Sequence, residues 1–242
     1  MGSMFDDSYF ITEISKYSYT FPDPREASDE GLLAYGGDLS PNRLLSAYRK
    51  GIFPWFNQDD PILWWSPNPR LLLYPDEFRV KKSFRKVLRN SDYEVKFDNN
   101  FEQTIRMCAK VREHKEGTWI TKEMHRAYCE LHDMGFAHSV EVYKGNRFIG
   151  GLYGVAMGRA FFGESMVSLE PNGSKIALKA LSDILSSKGY YFIDCQVPTD
   201  HLQSLGAKLI DRDIFLDQLE DALGFGGDIG SWRSFKWEYK DG

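Results

Sequence analysis

The sequence predicts an α+β protein in two parts, a small N-terminal α+β domain over residues 4–69 and a larger α+β domain over residues 70–242. Three observations lead there. Residues before 70 are crowded with turn formers and aromatic side chains, in FPDP, YGGDLSP, GIFPWF and DPILWWSPNPR, a texture that breaks regular elements into short pieces. Residues 80–135 instead carry apolar positions at helical spacing. From 139 to 197 the pattern changes to period two, interrupted by a single helical stretch, which reads as strands of one sheet around one crossover.

Composition sets the outer limits. The chain has 242 residues, 42% hydrophobic, 15% aromatic and 27% charged, a content that excludes intrinsic disorder and suffices for a full core. No run approaches the roughly 18 apolar residues of a membrane span, so no membrane association is expected. Met1-Gly2-Ser3 ahead of Met4 reads as a vector-derived leader and is set aside. Cys108, Cys129 and Cys195 are odd in number and lack CxxC spacing, which argues against a disulfide framework and a structural zinc site and points to a reducing cytoplasm.

Taken in order, the elements justify themselves locally. Ser40-Pro41 suits an N-cap followed by proline at the first helical position, and the helix it opens, about 41–50, stops at Gly51. Pro54, Pro61, Pro67 and Pro69 then keep the chain out of helix and pin Trp55, Phe56, Trp64 and Trp65 on stiff loops. Such tryptophans serve either as the core of the small domain or as a stacking surface. Helices are predicted at 80–90, 98–115 and 121–135, the last capped by Thr121 and closed by Gly135. SVEVYKG, NRFIGGLYGVAMG and RAFFGESMVS follow as an antiparallel meander with KGN and MGR turns. Ser174 is predicted to cap a helix that Gly189 ends near 188, and a strand over 190–197 comes directly after. A meander left by a helix-and-strand crossover is the arrangement of the GNAT-like acyltransferase fold, an analogy about architecture that carries no reaction with it.

Against that frame a few residues stand out. Glu164 lies between Phe161, Phe162 and Met166, and a carboxylate there has to be paired, hydrogen-bonded or functional, because an unpaired buried charge costs several kcal/mol or shifts its pKa. It is a candidate ammonium receptor. In YYFIDCQV the period-2 alternation sends Asp194 and Gln196 to one face and Ile193, Cys195 and Val197 to the other. Asp194 also has a plainer reading, as an acid capping the turn after a strand. Cys195 with His201 would make a thiol nucleophile and base, but a cysteine on the apolar face behaves as a small hydrophobe. His114, His125, His132, His138 and His201 show no HxxxH or HxH spacing, and no metal is expected. A coenzyme A pyrophosphate would need a glycine-rich loop before residue 174; SLEPNGSKIAL offers Pro171, which removes a donor, and Glu170, which adds a repelling charge.

The net charge of −5 does not by itself announce a nucleic-acid partner, but its distribution is uneven. Arg79, Lys81, Lys82, Arg85, Lys86 and Arg89 fall within eleven residues, while Val80, Phe84, Val87 and Leu88 repeat at helical spacing. The result is an amphipathic helix with a basic face. That face is either solvated surface or a phosphate-contacting patch.

Together, GLLAYGGDLSPNRLLSAYRKGIFPWF, DPILWWSPNPR, EGTWIT, GGLYGVAMG, FFGESM and IDCQ with HLQSLGA closely resemble the bacterial leucyl/phenylalanyl-tRNA–protein transferases, from about Phe21 to Asp213. The resemblance implies an enzyme that moves Leu or Phe from aminoacyl-tRNA to the α-amino group of proteins beginning with Arg or Lys, marking them for N-degron proteolysis. It implies no bound cofactor and a monomer. It assigns Asp194 and Gln196 to the reacting centre, Glu164 to the donor's α-ammonium, and Trp55 and Trp119 to the terminal adenosine or the substrate, where base stacking is worth about 1–3 kcal/mol. Leu152, Phe161, Met166, Leu181 and Ile193 fall at positions of the family's apolar side-chain pocket. Leu152 and Leu181 depart from the Met and Phe of familiar members, which bears on the choice between Leu and Phe. Gly173 replaces a more usual alanine and is expected to loosen the loop before the helix. The tRNA reading turns the basic face into a backbone contact. Two rivals share features with it: an acyl-CoA N-acyltransferase, which would need the missing pyrophosphate loop, and a non-catalytic tRNA-binding adaptor, against which Glu164, Asp194 and Gln196 together argue.

Overall fold

The computed structural model describes residues 11–90, 92–113 and 120–241. The N-terminal part contains β1 (Thr12–Ile14), β2 (Leu32–Gly36), α1 (Pro41–Arg49), β3 (Phe53–Pro54) and β4 (Leu63–Trp65). Its four strands form a sheet in the order β1-β2-β4-β3. The prolines that broke this region up in sequence also keep its strands short. Trp64 is fully buried, donates its indole N–H to the Gly36 carbonyl at 3.0 Å and meets Phe21 edge-on at 4.9 Å; it is a core residue.

The rest of the chain builds a second sheet from β5 (Arg70–Leu73), β6 (Glu94–Phe97), β7 (Ala137–Lys144), β8 (Arg147–Met157), β9 (Ala160–Ser168), β10 (Phe192–Asp194) and β11 (Lys208–Ile210), ordered β11-β5-β10-β9-β8-β7-β6. Helices α2 (Lys82–Arg89), α3 (Phe101–Glu113), α4 (Lys122–Asp133), α5 (Gly173–Ser187), α6 (Asp200–Ser204) and α7 (Arg212–Leu223) surround it. The strand alternation sorts the core into two layers. Leu71, Leu152, Phe161 and Ile193 pack with Phe84 of α2 and Leu181 of α5 on one face. Leu72, Tyr153, Phe162 and Phe192 pack with α1, α3, α4 and α7 on the other, in a cluster that also holds Leu33, Leu44 and Trp64. The two sheets therefore share a continuous apolar core.

The meander β7-β8-β9 is antiparallel as the sequence predicts, and α5 carries the chain over to β10, which pairs parallel with β9. Three details differ from the sequence reading. The crossover helix starts at Gly173 behind Asn172, which takes the left-handed cap conformation at φ 71. Ser174 does not cap it; its own N–H and hydroxyl are held at Ser168 Oγ, 2.8 and 2.9 Å away. Nor does Gly173 loosen the loop: a Cβ there would lie 2.3 Å from the Ile149 carbonyl oxygen, so the glycine lets α5 close onto β8. The expected strand over 190–197 ends at Asp194, because the chain then leaves β9 and turns toward β5.

That departure positions the site. β9 and β10 pair only from Ala160–Phe192 to Phe162–Asp194. Beyond this point Cys195 donates its N–H to the Leu71 carbonyl at 2.8 Å and Leu71 donates to the Gln196 carbonyl at 3.3 Å, while β9 stays with β8 as far as Ser168. Two parallel strands part, and a cleft opens between them.

Candidate active site

Glu164 owes its direction to an irregularity in β9. The ladder pairs Gly154 with Gly163 and Tyr153 with Ser165, so Glu164 is the extra residue of a bulge. Gly154 makes the bulge possible, since a Cβ there would sit 2.2 Å from the Phe162 carbonyl oxygen. Glu164 is 6% exposed and its carboxyl group is surrounded by donors. Tyr48 Oη of α1 lies 2.6 Å from Oε1, Tyr128 Oη of α4 lies 2.8 Å from Oε2, and the Gln196 amide donates from Nε2 to Oε1 at 3.0 Å. The two hydroxyl oxygens are themselves 2.6 Å apart. Burial raises the Glu164 pKa to about 7, against the pull of those donors and with a further push from the Asp194 charge. Burial also holds both tyrosine hydroxyls well above their ordinary range.

Asp194 stands one layer behind the cleft wall, fully buried. Arg70, at the start of β5, donates to it twice, Nε to Oδ1 at 2.8 Å and Nη2 to Oδ2 at 2.6 Å. This is the bidentate fork geometry that suits guanidinium and carboxylate. The Arg70 guanidinium in turn lies between the rings of Phe53 and Phe215, 4.8 and 4.6 Å from their centroids. Asp194 Oδ1 also accepts the Gln196 backbone N–H at 2.9 Å, which holds Gln196 at φ 65. So the alternation that would have set Asp194 and Gln196 side by side on a strand stops at Asp194. The carboxylate fixes the Gln196 backbone, and the Gln196 side chain reaches Glu164.

The cleft has a cavity volume of about 180 Å³ and is lined by Leu152, Phe161, Met166, Leu178, Leu181 and Ile193 on its apolar side, with Glu164, Gln196, Tyr153 and Ser165 as polar groups. All five apolar residues of the expected pocket therefore meet in one cavity with Glu164 and Gln196. Trp55, 46% exposed, lies at its open edge and packs on Trp65, ring centroids 5.7 Å apart. Trp119 lies outside the described residues. Cys195 also lines the cleft, but burial and the neighbouring Asp194 charge push its thiol far up, and its S–H points at the Ile193 carbonyl oxygen at 3.7 Å. That is the behaviour of a small hydrophobe and unlike an activated nucleophile.

Arg79, Lys81, Lys82, Arg85, Lys86 and Arg89 are all exposed along α2 and the segment before it, with Phe84 and Leu88 buried beneath. Arg85 and Arg89 share Asp241 as ion-pair partner. Arg79, Lys81 and Lys175 line a second, polar cavity beside the start of α5. In the loop before α5, the N–H groups of Leu169 and Glu170 are spent on the Ile149 carbonyl, and Glu170 is paired with Arg147 at 2.8 Å. Among the described residues no group of three or more His, Cys, Asp or Glu side chains is arranged to hold a metal.

Sequence reasoning missed Arg70, Tyr48 and Tyr128. Each left a trace. Arg70 opens the apolar run RLLLY, where a buried cation needs a partner. Tyr48 and Tyr128 share helix faces with Leu44, Leu45, Met124 and Leu131, and a phenol drawn into a core brings a hydroxyl that has to find one too.

An antiparallel meander, one crossover helix and a parallel strand that parts from its neighbour around a pocket place the chain in the GNAT-like class of acyltransferase folds. Its member of that class follows from sequence. Residues 72–220, more than half the chain, match the family model for leucyl/phenylalanyl-tRNA protein transferase, and residues 37–68 match the model for the N-terminal domain of the same family. The leucyl/phenylalanyl-tRNA–protein transferase of Pseudomonas putida (strain W619) is 51% identical over 226 residues, covering 93% of this chain and all of that one. That of Legionella pneumophila (strain Corby) is 48% identical over 215 residues, 89% of this chain and 96% of that one. The chain belongs to the leucyl/phenylalanyl-tRNA–protein transferase family. Among solved structures, an aminoglycoside acetyltransferase from an uncultured soil metagenomic sample resembles it distantly, with a TM-score of 0.37 at 16% identity, covering 48% of this chain and 85% of its own.

Proposed function

We propose that this protein transfers Leu or Phe from aminoacyl-tRNA to the α-amino group of proteins that begin with Arg or Lys. The observation that carries the proposal is a lone carboxyl group, Glu164, at the polar end of an otherwise apolar cleft between parting strands. An aminoacyl ester has that same pairing of an amine with an apolar side chain. In this reading the donor's side chain occupies the space among Leu152, Phe161, Met166, Leu181 and Ile193, its amine faces Glu164, and the terminal adenosine lies toward Trp55. The tRNA body runs along the basic face of α2.

The reaction asks little of an enzyme beyond placement. The acceptor nitrogen attacks the ester carbonyl, an N–C bond forms, the bond to the ribose oxygen breaks, and the proton lost by nitrogen ends on the departing ribose hydroxyl. An α-amino group with a pKa of about 7.7–8.0 is already partly free base at neutral pH. Orientation is therefore the larger task. Gln196 donates from its amide nitrogen to Glu164, which leaves its amide oxygen free to accept a hydrogen from the incoming amine. Asp194 acts as a positioning residue through the Gln196 backbone, with Arg70 fixing its place in turn. The site so read asks for no residue from a second copy, and we take the protein to act as a monomer. We also place the protein in the cytoplasm, because its three cysteines are odd in number and lack CxxC spacing; among the described residues no helix is long and apolar enough to cross a membrane.

The test is transfer of labelled leucine from Leu-tRNA to two peptides that differ only at the N-terminus, Arg against Gly. Label on the Arg peptide alone is expected. Labelling of both peptides would remove the acceptor assignment, and tRNA binding without transfer would favour an adaptor.

A further inference from the structure

The oxygens around Glu164 close a ring that counts hydrogens. It has three O···O contacts: Tyr48 Oη to Glu164 Oε1 at 2.6 Å, Tyr48 Oη to Tyr128 Oη at 2.6 Å, and Tyr128 Oη to Glu164 Oε2 at 2.8 Å. At such separations each contact holds one hydrogen, because two oxygens facing one another with lone pairs alone repel. Each tyrosine brings a single O–H. Two hydrogens cannot fill three contacts. Gln196 supplies none to the ring, since its amide reaches Oε1 from outside.

We infer that Glu164 is a carboxylic acid in the empty site, its O–H the third donor of a closed ring with Tyr48 and Tyr128, and that it gives up this proton when the donor's amine arrives. In the empty site Glu164 Oε1–H donates to Tyr48, Tyr48 donates to Tyr128, and Tyr128 donates to Oε2. Both tyrosine oxygens then give and receive, while Oε1 gives and Oε2 receives. The inference rests on the reading of Glu164 as receptor for the donor amine. The groups facing Glu164 are the two tyrosines from α1 and α4, Tyr153 of β8 beside Tyr128 at 5.6 Å, Gln196, and the Asp194 carboxylate with its Arg70 partner. None of them is a cation free to hold Glu164 ionised. Its raised pKa agrees with the hydrogen count.

The consequence for the donor is specific. Neutralising an ammonium in this cleft takes the Glu164 carboxylate, so a protonated donor releases the ring proton to solvent, whereas a neutral amine takes that proton itself. In either case the Tyr48–Tyr128 contact loses its hydrogen and has to lengthen. Tyr48 and Tyr128 are then positioning residues that keep the empty apolar cleft free of net charge.

Two measurements test this. The first is difference infrared spectroscopy of the empty wild-type protein against Glu164→Gln at pH 6, reading the protonated-carboxyl stretch. A band present in the wild type and lost in the variant is expected; its absence from the wild type overturns the inference whether or not any ligand binds. The second is calorimetric binding at pH 6, in two buffers of different ionisation enthalpy, of an adenosine carrying leucine in a non-hydrolysable amide link. That ligand's α-amino group is then protonated, and about one proton released per ligand bound is expected. Binding with no proton release overturns the inference while leaving the donor assignment standing. No binding at all removes the donor assignment, and the infrared band then decides the inference alone.

Discussion

Arg70 and Asp194 meet in two parallel hydrogen bonds of 2.8 and 2.6 Å with neither side chain reaching water. The pair ties β5 to β10 at the point where β10 parts from β9. Breaking one partner of a buried, hydrogen-bonded pair leaves the other uncompensated, at a cost of about 3–5 kcal/mol. Arg70→Met is therefore expected to lower the urea midpoint sharply. An unchanged midpoint would mean that water reaches Asp194 once the guanidinium is gone.

Asp194→Asn and Gln196→Ala separate placement from chemistry. If Asp194 works through the Gln196 backbone, both variants bind aminoacyl-tRNA nearly as wild type does. Each then loses turnover by about 10²-fold, the low end of what a positioned proton-handling group contributes. Gln196→Ala is expected to keep its stability and Asp194→Asn to lose some, because only the latter disturbs Arg70. Normal turnover in both would dismiss the roles given to these residues.

How much of this was legible beforehand depends on the range of the interaction. The meander and the crossover could be read because period and spacing are local, whereas the apolar lining came through the family resemblance alone. Glu164 stood out because a charge among phenylalanines is anomalous wherever the fold puts it. The bulge that aims it was not legible, since a one-residue register shift between β8 and β9 has no sequence signature beyond Gly154 and Gly163. Arg70 is 124 residues from Asp194 and Tyr48 is 116 from Glu164; tertiary folding alone brings those pairs together. For the same reason the sequence predicts too long a strand over 190–197, as alternation continues in the sequence after hydrogen bonding has switched partners.

The depth of the cleft is set partly from behind. Trp232 is buried, stacks on His138 with centroids 3.8 Å apart, and approaches the Phe161 ring at 6.0 Å. Trp232→Leu is expected to let Phe161 retreat and to move the Leu-to-Phe transfer ratio toward Phe. Leu181→Phe fills the cleft directly and is expected to move the ratio toward Leu. Differences of one or a few methylenes are worth about 1–3 kcal/mol in kcat/KM. Competition between Leu-tRNA and Phe-tRNA reads the ratio, and an equal loss of both substrates would show general damage only.

On the basic face the six cations are not equal. Arg85 and Arg89 are already engaged by Asp241, while Lys81, Lys82 and Lys86 have no ion-pair partner among the described residues. Neutralising those three lysines is expected to raise the KM for tRNA and to flatten its salt dependence by about 0.7–0.9 per lost phosphate contact. Asp241→Asn is expected to do the reverse, by freeing two arginines. A salt slope that moves in neither variant would return the patch to solvated surface.

Glu164 also leaves a mark on stability, and its sign is fixed. Its folded pKa of about 7 lies above the ordinary 4.5, so the folded state holds the proton more tightly than the unfolded chain does. The stabilisation this provides is fully present below about pH 4.5 and is lost as pH rises through about 7. Glu164→Gln keeps the shape of the protonated acid and cannot ionise. Between pH 5 and pH 8 the wild type is therefore expected to lose about 2–3 kcal/mol relative to this variant. Urea unfolding of both proteins at the two pH values measures the difference, and other titrating groups cancel in it. A gap that stays constant would mean that folded Glu164 is ionised across the whole interval.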